Sequence, residues 1–168
     1  MASKCINKRY TKDGPWGGDG GHTEWQVMLS NEGVNPYRIT KIVVTYTLDW
    51  GCVVALTFTY DDYLNKKQHD VKVGGQTPGH DIEYIINKFG SVEFKGVYGK
   101  YNNCTVITAL AFGDNPFTLG SGGTPFPPYP SSGGTIFPPY PLVGKIEGFF
   151  GKFGDYIDSI GVILSPKF

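Results

Sequence analysis

From Tyr37 onward the chain alternates short runs of Ile, Val, Thr and Tyr with short polar or glycine-containing breaks, a spacing that predicts strands rather than helices. Arg38 to Tyr46 and Val53 to Tyr60 are the clearest runs, with Leu48-Asp49-Trp50-Gly51 as the hairpin break between them. Tyr63 to Lys67 predicts a polar turn, His69 to Val73 a strand and Gly74 to Gly79 a loop. Further strands are predicted at Asp81 to Ile86, Val92 to Tyr98 and Val106 to Phe112, with turns at Asn87 to Ser91 and Gly99 to Cys104. The last strand, Ser159 to Leu164, is apolar and β-branched. Polar and apolar positions alternate imperfectly in most of these runs, as expected of strands packed around a shared interior. Residues 1–13 carry no such pattern and are expected to form a flexible N-terminal extension.

Composition sharpens the fold class. With 168 residues the chain is expected to be one domain with a substantial core. Its 24 glycines, 12 prolines and 15% aromatics, without helix-favouring runs, point to an all-β architecture of many short strands and tight turns: a sandwich, barrel or prism. Lys plus Arg equals Asp plus Glu at 15 each, so no net field recruits nucleic acid or anionic lipid. No run approaches the roughly 18 apolar residues of a membrane span, so no membrane insertion is expected. The N-terminal MASKCINKRY has charge but no apolar core of an export signal, which predicts a cytoplasmic or leaderless secreted protein. On that expectation the sequon Asn103-Cys104-Thr105 goes unused.

Candidate chemistry comes from two glycine-bearing stretches. The run GPWGGDGGHTEW, from Gly14, is too rich in glycine for a regular element, so its backbone is expected to turn sharply or approach something closely at Gly20 and Gly21, with Trp16 plugging the core. The second stretch, GKFGDYIDSIGVILSP (151–166), places Asp155 and Asp158, with Tyr156 between them, on a short loop after Gly154, anchored by the apolar strand that follows. That combination describes a small cup of acceptors and donors on a rigid scaffold. Cys5, Cys52 and Cys104 follow no metal-ligand spacing, and His22, His69 and His80 make no Cys-His nucleophile motif, so no metal, no cofactor and no catalytic residue are expected. Between the last two predicted strands lies a Pro-rich inserted loop, 119–141, containing GGTPFPPYP (122–130) and GGTIFPPYP (133–141), which match at eight of nine positions. Its prolines favour a semi-rigid surface connection; Tyr129 or Tyr140 extending a ligand surface or an oligomer contact is the alternative.

GPWGGDGG near the start, YRITKIVVTY, TFTY, GTPF and the terminal GKIEGFFGKFGDYIDSIGVILSP together resemble the jacalin-related lectin family in order and spacing, over roughly residues 14–166. The resemblance implies a single lectin domain over 14–168 with the β-prism I fold: three four-stranded antiparallel sheets around a pseudo-threefold axis. It also implies a metal-independent carbohydrate site at one end of the prism. Carried onto this chain, the sugar is held by backbone amides of Gly21, Asp155 and Tyr156 and by the carboxylate of Asp158, with Gly20 and Gly154 shaping the loops. An ionised carboxylate suits this role because it accepts from two hydroxyls while amides donate toward the ring side of a pyranose.

GDYID on a glycine loop continuous with its upstream sequence resembles the uncut mannose- and glucose-type members, so mannose-containing glycans are the expected partners. Lys100, Tyr101 and Asn102 correspond to the variable loop beside the site and are expected to govern which oligosaccharide is accepted. Charge-assisted bonds of roughly 1.5 to 3 kcal/mol in an exposed cup predict weak affinity for one sugar, and hence a homo-oligomer, a dimer in the first instance, for avidity. Some members have a second site; here Gly74, Gly75 and Asp49 lie in its region, but Cys52 falls where its second carboxylate is expected, so that site is expected to be lost, with Trp50 packing over the glycine pair. Competing readings are a structural or protein-binding β-prism with a vestigial sugar site, a glycosidase using Asp155 and Asp158, and a calcium site from Asp19, Asp155 and Asp158.

Overall fold

The computed structural model describes residues 9–31, 33–34, 36–86, 92–114 and 134–166. These form twelve strands: β1 (Thr11–Gly17), β2 (Thr23–Met28), β3 (Ser30–Asn31), β4 (Tyr37–Tyr46), β5 (Val53–Asp62), β6 (Lys67–Gly74), β7 (His80–Ile85), β8 (Val92–Tyr101), β9 (Cys104–Asp114), β10 (Thr135–Phe137), β11 (Lys145–Phe153) and β12 (Ile157–Ser165). They pair antiparallel into three sheets, so the all-β prediction and the three-sheet prism both hold. The first sheet runs β1-β12-β11-β2. The second is four strands wide, because β3 and β7 share one edge of β4, followed by β5 and β6. The third has the order β10-β8-β9 among the described residues, where the resemblance implied four strands.

The two strands with the longest apolar runs lie inside their sheets and are buried almost throughout. Val53 to Leu56 and Phe58 of β5 are fully buried, as are Ile157, Ile160 and Val162 of β12. Both are flanked on two sides by other strands, which explains runs of β-branched residues in place of strict alternation. Phe149 of β11 joins the three sheets: its ring lies 6.5 Å from Phe58, 5.2 Å from Phe112 and 5.4 Å from Phe94. Tyr46, buried at the end of β4, ties the second sheet to the third by donating from its hydroxyl to the Leu110 carbonyl (3.0 Å) and accepting from the Leu110 N–H (2.9 Å).

Two expectations need correction. The expected flexible extension, 1–13, is partly strand: Thr11, Lys12 and Asp13 pair with Leu164, Ile163 and Val162. Their pattern is polar because β1 is an edge strand with exposed side chains, so its order comes from ladder hydrogen bonds to β12 rather than from burial. The strand continues through Gly14, Pro15 and Trp16 by a register shift between Asp13 and Trp16, the irregularity that lets an edge strand carry glycine and proline. Residues 1–8 lie outside the described residues.

The second correction concerns the repeat. Its first copy lies outside the described residues, but the second is built into the prism rather than draped over it. Thr135, Ile136 and Phe137 pair with Tyr98, Val97 and Gly96, and the fully buried Phe137 ring fills the space that a side chain on Gly96 would need. Trp16 stacks on Phe137 at 5.8 Å and meets Tyr140 edge-on at 6.5 Å, so it plugs the core as expected. The Tyr140 hydroxyl donates to Asp13 at 2.5 Å, fastening the segment to β1.

Candidate carbohydrate site

The chain crosses from β1 to β2 through 18–22, and from β11 to β12 through 154–156, and the two loops meet. Gly18 N–H donates to the Asp158 carbonyl at 2.9 Å, extending the β1–β12 ladder by one bond. Beyond it, Gly21 has φ +89°, which a side chain would strain, and it sits against the next loop: a Cβ there would lie 2.8 Å from Asp158 Oδ2 and 3.0 Å from Phe153 N. A Cβ on Gly20 would lie 2.9 Å from Asp158 Oδ1. Both carboxylate oxygens of Asp158 thus rest on the glycine loop. Gly154 completes the floor, within 3.8 Å of Oδ2 measured the same way.

Asp158 reaches this position because it is the extra residue of a bulge. Lys152 faces Ser159 and Phe153 faces Ile157, so Asp158 between them has no partner on β11 and turns toward the loops. Half-burial pushes its carboxyl pKa up, opposed by the backbone N–H of Gly154, with Asp155 adding to the rise and His22 opposing it. Asp155 is exposed, and Gly154 N–H donates to the Tyr156 carbonyl at 3.0 Å, closing the turn. Among the described residues, no carbonyl accepts from the N–H groups of Gly21, Asp155 or Tyr156. The half-buried Asp158 carboxylate thus stands beside three loop amides from which no carbonyl accepts among the described residues, a set suited to a ligand bearing vicinal hydroxyls.

Five of the six expected site residues, Gly20, Gly21, Gly154, Asp155 and Tyr156, therefore lie on two touching loops, and the sixth, Asp158, lies on the bulge of β12 beside them. The expected specificity residues are adjacent: the Tyr101 ring meets Tyr156 edge-on at 5.4 Å, while Lys100 and Asn102 are exposed on the same hairpin. That hairpin turns at Asn102 and Asn103, both with positive φ (49° and 67°), which shortens the predicted Gly99–Cys104 turn to two residues.

The second-site expectation is corrected in its details. β4–β5 repeats the β11–β12 bulge: Thr45 faces Ala55 and Tyr46 faces Val53, leaving Val54 unpaired, and Gly75 N–H donates to the Val54 carbonyl at 2.9 Å as Gly18 does to Asp158. The counterpart of Asp158 is therefore the fully buried Val54, and Cys52 lies two residues earlier. The loops 18–22 and 75–79 each end at a strand whose first residue pairs at the matching place, Thr23 with Phe153 and His80 with Tyr46. By that register Pro78 stands where Gly21 does, and proline has no N–H to donate. Spacing from Asp49 in the sequence pointed to Cys52, because the bulge that sets the position is not visible there. Cys52 is buried, its thiol pushed up to about 12 by burial foremost, then by Asp49 and Asp158. Trp50 does not cover Gly74 and Gly75: it stacks on His80 at 4.3 Å, and Gly75 packs against the Asp155 carbonyl instead.

Among the described residues, no three His, Cys, Asp or Glu side chains gather as a metal site. The histidines are dispersed: His80 shares a 3.1 Å hydrogen bond with the Leu48 carbonyl, His69 lies 3.6 Å from Asp62, and His22 is exposed on the glycine loop.

The family model of the jacalin-like lectin domain matches residues 13–163. Horcolin from Hordeum vulgare is 32% identical over 161 residues, spanning 92% of this chain and 97% of horcolin. A mannose/glucose-specific lectin from Parkia platycephala is 30% identical over 158 residues, which are 91% of this chain and 31% of that longer protein. The crystal structure of Calystegia sepium agglutinin superposes with a TM-score of 0.72 at 29% identity, covering 95% of this chain and 98% of the agglutinin. These relatives are lectins, which are not enzymes.

Proposed function

This chain belongs to the jacalin-like lectin family, and from that premise we propose that it binds mannose- and glucose-type glycans, without a metal, at one site per chain. The observation that carries the proposal is the half-buried Asp158 carboxylate lying over Gly20 and Gly21 beside the amides of Gly21, Asp155 and Tyr156, from which no carbonyl accepts among the described residues. Two neighbouring sugar hydroxyls donate to Oδ1 and Oδ2, and the amides donate to oxygens on the ring side. Held by two separate loops, the donors and acceptors are fixed in advance, so binding orders little of the protein. Val54 and Pro78 support the single-site count, since the pseudo-equivalent loops lack both the carboxylate and the amide donor. Lys100, Tyr101 and Asn102 border the cup and select among oligosaccharides. Affinity for one sugar is weak, about millimolar, and self-association as a dimer supplies avidity.

The test is Asp158→Ala. Removing a charged acceptor deletes bonds that contribute about 1.5 to 3 kcal/mol, so calorimetry with methyl mannoside should show at least a tenfold loss, with chelator irrelevant in parent and variant alike. A parent that binds no mannoside or glucoside, or an Asp158→Ala variant that binds as the parent does, refutes the proposal.

A further inference from the structure

The β4–β5 loop keeps one carboxylate, Asp49, although Val54 and Pro78 stand at the positions that match Asp158 and Gly21. That carboxylate is instead hydrogen-bonded within the protein through both oxygens. It accepts from Thr47 Oγ1 at 2.5 Å, from Gly51 N–H at 3.0 Å and from the Tyr101 hydroxyl at 3.0 Å. Tyr101 reaches it by lying across Gly51, where a Cβ would collide with the ring. The same ring meets Tyr156, on the 154–156 loop, edge-on at 5.4 Å.

We propose that Asp49 is a positioning residue for the sugar site: it tethers the Tyr101 hydroxyl so that the Tyr101 ring stands as a wall beside Tyr156 and contacts the second sugar of a bound oligosaccharide. The inference rests on the sugar site assigned above and extends it to the sugar beyond the first. The backbone under Tyr101 is already set, since Tyr101 pairs with Cys104 across a two-residue turn, and the remaining freedom is rotation of the side chain. An edge-to-face contact with Tyr156 is compatible with several ring placements, whereas a hydroxyl held by Asp49 is not. The tether therefore removes, before any ligand arrives, the side-chain entropy that binding would otherwise lose. The Thr47 bond foremost, with those of Gly51 and Tyr101, holds the Asp49 carboxyl below its ordinary range, so the acceptor stays charged at neutral pH. Within the loop carrying Asp49, Thr47 N–H donates to the Cys52 carbonyl at 3.0 Å and Trp50 N–H to the Thr47 carbonyl at 2.9 Å, so that loop keeps its place when the tether alone is cut.

Affinities for methyl mannoside and for mannotriose are measured in the parent, Tyr101→Phe, Asp49→Ala and the double variant. Tyr101→Phe keeps the ring and loses only the tethered hydroxyl. Each single variant should lower the ratio of trisaccharide to monosaccharide affinity about fivefold, the cost of ordering one freed side chain on binding. The double variant should match the singles, because one contact is being removed twice. A parent that binds with a ratio unchanged in both single variants, or additive losses in the double, overturns the tether and leaves the sugar site standing. A parent that binds neither sugar overturns the sugar site and the tether with it. Equal loss of both ligands also overturns it, since a general collapse of the cup would act on the first sugar too.

Discussion

Replacing Gly21 by Ala separates a glycine that shapes a site from one that merely turns the chain. At φ +89° an L residue is strained by roughly 1 to 2 kcal/mol, and the added Cβ would lie 3.0 Å from Phe153 N, a backbone atom held by pairing with Thr23 that cannot easily yield. Alanine also stiffens the unfolded chain, which returns about 0.4 to 1 kcal/mol. Conformation alone therefore costs up to about 1.5 kcal/mol, or up to about 6 °C in melting temperature for a domain of this size, and the close contact with Phe153 N adds to it. Binding should suffer more than folding, because the same Cβ would stand 2.8 Å from Asp158 Oδ2 and push aside the carboxylate proposed to accept from the sugar. Gly20→Ala is the control: its φ is not in the left-handed region and its Cβ would meet only the Asp158 carboxylate, so stability should change little while affinity falls. Differential scanning calorimetry and titration of methyl mannoside on both variants give the two readouts. A Gly21→Ala protein that melts and binds like the parent would show that the loop does not hold Asp158 as described.

The pH dependence has a definite sign. Since burial raises the Asp158 pKa above the ordinary 3.8, mannoside affinity should fall on acidification at a pH higher than an ordinary aspartate would give; a flat profile down to that value contradicts the assignment. A raised folded-state pKa also means that ionised Asp158 works against folding above its unfolded pKa and that acid relieves this. Asp158→Asn should accordingly melt no lower than the parent at neutral pH, which thermal melts at pH 7 will show. Calorimetry should return a stoichiometry near one monosaccharide per chain, and a value near two would restore the loop of Val54 and Pro78 as a site. Phe137→Ala should destabilise by about 3 to 5 kcal/mol in chemical denaturation, since the ring is fully buried between Gly96 and Trp16; a loss below about 1 kcal/mol would return this segment to the surface.

Much of this protein is determined locally and was legible in its sequence. The runs Arg38–Tyr46, Val53–Tyr60, Val92–Tyr98 and Val106–Phe112 each fall inside an observed strand, because β-branched and aromatic residues bounded by turn residues have few other ways to bury themselves. The two loops of the proposed site were legible too, since clustered glycines beside closely spaced aspartates announce a backbone bent for close approach. Strands β1, β2 and β11 were harder to see. Thr11–Gly17 is polar and glycine-bearing, and its order comes from a partner almost 150 residues away, which no local pattern encodes.

What only the tertiary structure decided is which residues share a position. The bulges that leave Asp158 and Val54 unpaired arise from register between strands, so the true counterpart of Asp158 is Val54 rather than the Cys52 that spacing suggested, and the counterpart of Gly21 is Pro78. The repeat shows the same division. Nothing in FPPYP says that Phe137 will be buried, because burial depends on the room that Gly96 leaves on a distant strand. Asp49, Tyr101 and Tyr156 belong to three different loops, and a 3.0 Å hydrogen bond and a 5.4 Å ring contact join them only once the sheets have closed around Phe149. Sequence carries propensity and spacing; contacts between segments far apart in the chain exist only after the folded core has fixed where each loop stands.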